Sequence, residues 1–228
     1  MQLQIQRQPD DETCGPTCLH SVYDYYGHAL SLEQVIAEVP RLESGGTLAV
    51  ILANHALSLG FKATIYTYNL VVFDPTWFKD PTTDIAAKLR DQIADKSDRK
   101  LRRATEEYLR FLELGGEIRY EDLTADLLCR FLNDKKPILT GLSATYLYGC
   151  AREYGSDYDD VRGKATGHFV VLCSYDDSDH TVLVADPLLP NPVSPTQYYA
   201  VSINRAASAI LLGILTYDAN LLILEPKG

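Results

Sequence analysis

Residues 167–187 read GHFVVLCSYDDSDHTVLVADP. Two runs rich in Val, Leu and Phe, 167–176 and 180–187, flank a polar DDSD, the composition that turns a chain back on itself. The stretch predicts an antiparallel hairpin. One feature is unusual for a core: His168 opens the first strand and Asp186 ends the second. A hairpin brings the start of one strand beside the end of its partner, so these two side chains are expected to meet. Alternation along the strand lets the imidazole face a cleft while its neighbours fill the core.

Working outward, KPILTGL (136–142) and NLLILEP (220–226) read as further strands, and SINRAASAILLGIL (202–215) as a helix. The first half is mostly helical. Leu19, Val22, Tyr23 and Tyr26 recur at three- and four-residue intervals, predicting a helix from Thr13 or Cys14 to Gly27, with PDDET supplying groups suited to its N-terminus. Ser31 with Gln34 resembles a capping box before a helix closed by Pro40. GGTLAVILANHALSLG (45–60) predicts a third helix with Thr47 as its cap, FKATIYTYNL a strand, and LTADLLCRFLND a helix with Thr124 near its cap. Between them, residues 74–116 are charged and helical in period, read as two helices broken near Lys96 to Asp98. They are either a hairpin packed on the core with a solvated face or a lid beside a cleft. Helices first and an antiparallel sheet afterwards is an α+β order, expected over one domain spanning 1–228 with a charged helical insertion at about 76–116.

Composition narrows the function. A chain of 228 residues, 46% hydrophobic, can bury a full core. A net charge of −10 argues against nonspecific binding to nucleic acid or anionic membranes. The longest apolar run, AILLGIL at 209–215, is too short to span a bilayer, and MQLQIQRQPDDE lacks the basic start and apolar stretch of a secretory signal, so a cytoplasmic protein is expected. The five cysteines form no CxxC pair and no Cys/His cluster, so neither zinc nor a disulfide framework is expected, and no organic cofactor either.

Cys14 is followed at once by Gly15 and Pro16 at the expected start of a buried helix, where free backbone N–H groups and the positive end of the dipole stabilise a thiolate. Gly15 is expected to leave room for a substrate, and Pro16 suits a first turn. Attack on a carbonyl needs oxyanion donors, which Gln8 and the Cys14 N–H can supply if the PDDET loop folds back. Asp186 would hold one nitrogen of His168 while the other faces Cys14. A lone cysteine in an apolar helix is usually packing, which is the reading for Cys18, Cys129 and Cys173, with Cys150 in a polar loop. His20, His28 and His55 are expected on helix surfaces or satisfied edges and His180 in a turn. The tyrosines at 23, 25, 26, 146, 148, 154 and 158 either line a peptide groove or pack in the core.

Gln8, six residues before Cys-Gly-Pro, with GHFVVL and ADP late in the chain, is similar to the papain-like cysteine peptidase superfamily. Within it the chain resembles the bacteriocin-leader, or double-glycine, peptidase family and its stand-alone relatives. The resemblance implies a helical half carrying Cys14, an antiparallel sheet carrying His168 and Asp186, and Gln8 in the oxyanion hole. It implies a hydrolase acting on a peptide or isopeptide bond of a peptide or protein substrate, without metal. The charged segment has no counterpart in that pattern, and without an exporter segment the substrate need not be a double-glycine leader. Acyl transfer by the same four groups and a non-catalytic peptide-binding module are the competing readings. Nothing in the sequence sets the oligomeric state.

Overall fold

The computed structural model describes residues 3–42, 45–155 and 157–227. In chain order its elements are α1 (Cys14–Tyr25), α2 (Leu32–Glu38), α3 (Ala49–Ser58), β1 (Phe61–Thr67), α4 (Ile85–Asp95), α5 (Arg99–Glu113), β2 (Glu117–Arg119), α6 (Ala125–Asn133), β3 (Ile138–Ser143), α7 (Ala144–Tyr148), β4 (Glu153–Tyr154), β5 (Asp157–Tyr158), β6 (Gly167–Asp176), β7 (Thr181–Ala185), β8 (Tyr198–Ser202), α8 (Ile203–Leu212) and β9 (Asn220–Pro226). The main sheet runs β2-β1-β9-β3-β6-β7-β8; every pair but β1–β2 is antiparallel. The expected hairpin is β6–β7, with a register shift between Leu172 and Ser174 that sets Cys173 in a bulge. Helices do not simply precede the sheet: β1, from the helical first half, joins it beside β9, and β2 pairs with β1 at the edge.

Helices cover both faces, and side-chain alternation divides the strands between two cores. Phe169 and Val171 of β6 and Leu222 and Leu224 of β9 face α1, α3 and α5, whereas Val170, Leu172, Leu221 and Ile223 face α6 and α8. Continuous apolar runs such as HFVVL are what a strand buried on both sides requires.

Local signals fix most helix ends. Gly27 and Gly60 adopt φ of 74° and 86° behind α1 and α3, a region open to glycine at little cost. Ser31 accepts from Gln34 N and Thr124 from Leu127 N, but the Gln34 side chain turns to Glu38, so only half of the capping box forms. Thr47 does not cap α3; its hydroxyl donates to Pro40 O.

The charged segment is the packed hairpin. Asp84 and Asp98 accept from Ala87 N and Leu101 N and start α4 and α5, which explains the break between them. Leu101, Ala104, Tyr108 and Phe111 form a buried stripe of α5 against the core, and Asn54 of α3 donates to Glu107 Oε2 at 2.9 Å. A swinging lid would have no such stripe. Replacing residues 84–114 with a short Gly/Ser linker is therefore expected to abolish cooperative thermal unfolding by circular dichroism, and Phe111→Ala alone to cost about 3–5 kcal/mol. A linker variant that keeps a sharp transition near that of the parent would contradict this packing.

Candidate active site

Cys14 is the first residue of α1, and the first intrahelical acceptor is used by Thr17 N, which donates to Thr13 O at 3.0 Å. The Cys14 and Gly15 N–H groups thus lie among the unpaired donors of the helix start. Thr13 does not cap them; its hydroxyl folds onto Asp10 O at 3.2 Å, so the expected side-chain cap from PDDET is not formed. One turn on, the fully buried Cys18 donates to Phe169 O at 3.3 Å, which docks α1 on β6. Burial, with Cys14 and Asp186 nearby, pushes the Cys18 thiol well above the ordinary range.

That docking stands Cys14 beside His168. His168 Nε2 lies 2.8 Å from Asp186 Oδ1, and Cys14 lies near enough on the cleft side for its charge to act on the ring. An ionised Asp186 only accepts, which assigns the proton to Nε2. Burial of the imidazole opposes its charge, but Cys14 and Asp186 outweigh burial and raise its pKa. Asp186 has 0% exposure. Burial disfavours its ionised form, yet the His168 hydrogen bond and charge, Tyr199 O–H and Leu188 N–H together hold its carboxyl below the usual range.

Gln8 is placed by the N-terminal arm. Tyr198 O–H donates to Leu3 O, Ile5 N donates to the same phenol, Gln197 Nε2 donates to Gln6 O, and Gln8 N donates to Pro187 O at 2.9 Å. Gln8 is buried; its Nε2 donates to Asp10 O at 2.9 Å, and its Oε1 has no partner among the described residues. The structure therefore brings His168 and Asp186 into contact, sets Cys14 against them and pins Gln8 beside the Asp186 loop. Cys14 and His168 open into a cleft of about 240 Å³ whose far wall carries Thr47, Lys100 and Asp218. A larger hollow of about 490 Å³ over β1 and β9 has no cysteine or histidine among its lining residues.

The model of the Peptidase_C39-like family matches residues 1–204. The chain belongs to that family. A C39-like peptidase from Bacillus anthracis shares 13% identity with a TM-score of 0.54, covering 99% of this chain and 96% of that one. The peptidase domain of Streptococcus ComA, a bifunctional ABC transporter of a quorum-sensing pathway, gives 15% identity and a TM-score of 0.46, with 99% of each chain covered. Xylellain, a cysteine protease from Xylella fastidiosa, gives 13% and 0.49, covering 99% of this chain and 83% of that one. No curated protein matches. The fold is α+β with a large antiparallel sheet, shared with that C39-like peptidase from Bacillus anthracis. Among the described residues no helix is long and apolar enough to cross a membrane.

Other expectations in this C39-like chain need correction. Gly15 does not make room for substrate: a Cβ there would lie 2.6 Å from Thr47 Cγ2 and 3.3 Å from Phe169, so glycine permits α1 to approach α3 and β6. Cys129 and Cys173 are half-buried rather than core. His20 and His55 are buried, His20 at Leu30 O and His55 between Tyr23 O–H and Glu38. Two phenols reach Asp186: Tyr148, which the sequence offered as a groove-lining or core tyrosine, and Tyr199, which it did not single out. The alternation in YYAVS (198–202) was the available signal for the strand carrying Tyr199.

Asp218, on the cleft wall, is buried, and its Oδ1 has no partner among the described residues. Burial pushes its carboxyl up to about 7, against the pull of Ala49 N–H and Lys100. A raised acid binds its proton more tightly folded than unfolded, so it makes stability fall as pH climbs from about 4 to about 7. Asp218→Asn removes that slope. Denaturant melts at pH 4, 5.5 and 7 are expected to show the variant gaining on the parent as pH rises; a constant difference would contradict the raised carboxyl.

Proposed function

We propose that this C39-like chain is a cysteine peptidase that hydrolyses peptide or isopeptide bonds through Cys14, His168, Asp186 and Gln8. The observation that carries the reading is the imidazole of His168, hydrogen-bonded to the buried Asp186 carboxylate with Cys14 on its cleft side. The raised His168 pKa favours the imidazolium at neutral pH, which can stabilise the sulfur as it becomes a nucleophile. The sulfur attacks the substrate carbonyl carbon, and the negative charge passes to the carbonyl oxygen. The Cys14 N–H and the second hydrogen of Gln8 Nε2 are the donors for it. His168 then gives its proton to the leaving nitrogen, and the C–N bond breaks. An acyl-enzyme remains. Water, deprotonated by the now neutral imidazole, attacks it and restores the thiolate–imidazolium pair. Asp186 keeps the ring in one orientation throughout. The family match supports the peptidase class, and Cys14 and His168 line the same cleft.

Two measurements test the reading. Against a peptide library read by mass spectrometry, Cys14→Ala is expected to lose all cleavage at unchanged thermal stability, while Cys18→Ala keeps cleavage and loses about 1–2 kcal/mol of stability. Equal cleavage by the Cys14→Ala variant and the parent would refute the assignment. Alkylation of Cys14 by iodoacetamide is expected to stay fast well below the reference cysteine pKa of about 8.5, and His168→Ala to move the profile to higher pH. An unshifted profile would remove His168 from the mechanism.

A further inference from the structure

Asp186 receives more than a catalytic carboxylate needs for orienting one imidazole. Its Oδ1 accepts from His168 Nε2 at 2.8 Å and Leu188 N at 2.9 Å, while Oδ2 accepts from Tyr148 O–H at 2.9 Å and Tyr199 O–H at 2.7 Å. An ionised carboxylate offers about four lone-pair sites, so the four donors fill it.

The phenols come from elements with no sequence relation to each other. In the β7–β8 register Tyr199 lies opposite Val184, so period-two alternation puts it on the face that Asp186, two residues further, also shares. Tyr148 ends the short helix α7, whose last carbonyls accept from Arg205 of α8: Nε reaches Leu147 O and the guanidinium NH2 reaches Tyr146 O, both at 2.8 Å. Burial and the Asp186 charge push both phenols far above the ordinary tyrosine range, so they remain donors.

We propose that Tyr148 and Tyr199 are positioning residues of the reaction: their two O–H groups clamp Asp186 Oδ2, keep the carboxylate ionised and aimed at His168, and so set how far into acid Cys14 stays reactive. The inference rests on the peptidase reading above. The ionisable groups that face the carboxylate are His168 of β6, Cys14 and Cys18 of α1, and the two phenols themselves. Cys18 is neutral at working pH, so the phenols are the neutral groups whose loss most directly changes proton uptake by Asp186. Removing one O–H leaves a buried lone pair without a donor and makes protonation of Asp186 easier; once neutral, Asp186 no longer holds the imidazolium. The acid limb of Cys14 reactivity then moves upward.

The test measures Cys14 alkylation by iodoacetamide from pH 3 to 9 in the full chain, with thermal midpoints, for Tyr148→Phe, Tyr199→Phe and the double variant. Tyr23→Phe, which deletes a buried phenol bonded to His55 away from the site, is the structural control. Each single variant is expected to raise the acid limb by about one pH unit, roughly tenfold in rate on that limb, and the double variant by more. Tyr23→Phe is expected to lower the thermal midpoint and leave the limb in place. Acid limbs of both single variants superimposed on the parent, whatever their thermal midpoints, would overturn the proposal. So would failure of both single variants to fold, since the phenols would then be structural. If instead the parent shows no fast alkylation of Cys14 below pH 7, the peptidase reading itself fails, a result distinct from unshifted variants of a reactive parent.

Discussion

The structure turns on a negative charge with no access to water. An isolated carboxylate taken from water into a protein interior costs several kcal/mol even after relaxation. Asp186 stays ionised because four donors from β6, α7, β8 and its own loop converge on it. Each of those elements must therefore reach its place before the carboxylate is tolerable, which couples formation of the site to completion of the sheet end. A hydrogen bond between His168 and Asp186 in such surroundings is stronger than its counterpart in water, and it dictates which imidazole nitrogen is left for Cys14.

The opposite side of the site depends on packing rather than charge. Cys14 is carried by a helix whose register on β6 is set by Cys18 against the Phe169 carbonyl and by Gly15 against Thr47 and Phe169. Two sulfurs one turn apart thus occupy different surroundings: Cys18 is fully enclosed and held as a thiol, while Cys14 opens to the cleft. The charged hairpin α4–α5 contributes in both ways. Its apolar stripe completes the core over α3, and Lys100, resting 4.4 Å from the ring centroid of Tyr217, forms part of the cleft wall.

Much of this was legible in the sequence because it depends on short-range rules. The hairpin of 167–187 announces itself by two apolar runs around DDSD, and its geometry alone pairs His168 with Asp186. The helix starting at Cys14, the break before Asp98 and the cap at Thr124 follow from periodicity and hydroxyl or carboxylate placement. Where an expected cap failed, another group close in sequence had taken the side chain: Thr13 turned to Asp10, Thr47 to the Pro40 carbonyl, and the Gln34 side chain to Glu38.

The sequence by itself determined the α+β class, the pairing of His168 with Asp186 and a helix start at Cys14, because hydrophobic period and turn chemistry act between near neighbours. Only the tertiary structure decided the strand order that inserts β9 between β1 and β3, the packing of the charged hairpin on α3, and the convergence of Tyr148 and Tyr199 on Asp186 Oδ2. Those arrangements link residues tens of positions apart. They are selected by the burial of both sheet faces and by the cost of leaving a buried carboxylate unpaired, and neither constraint acts until the chain has closed on itself.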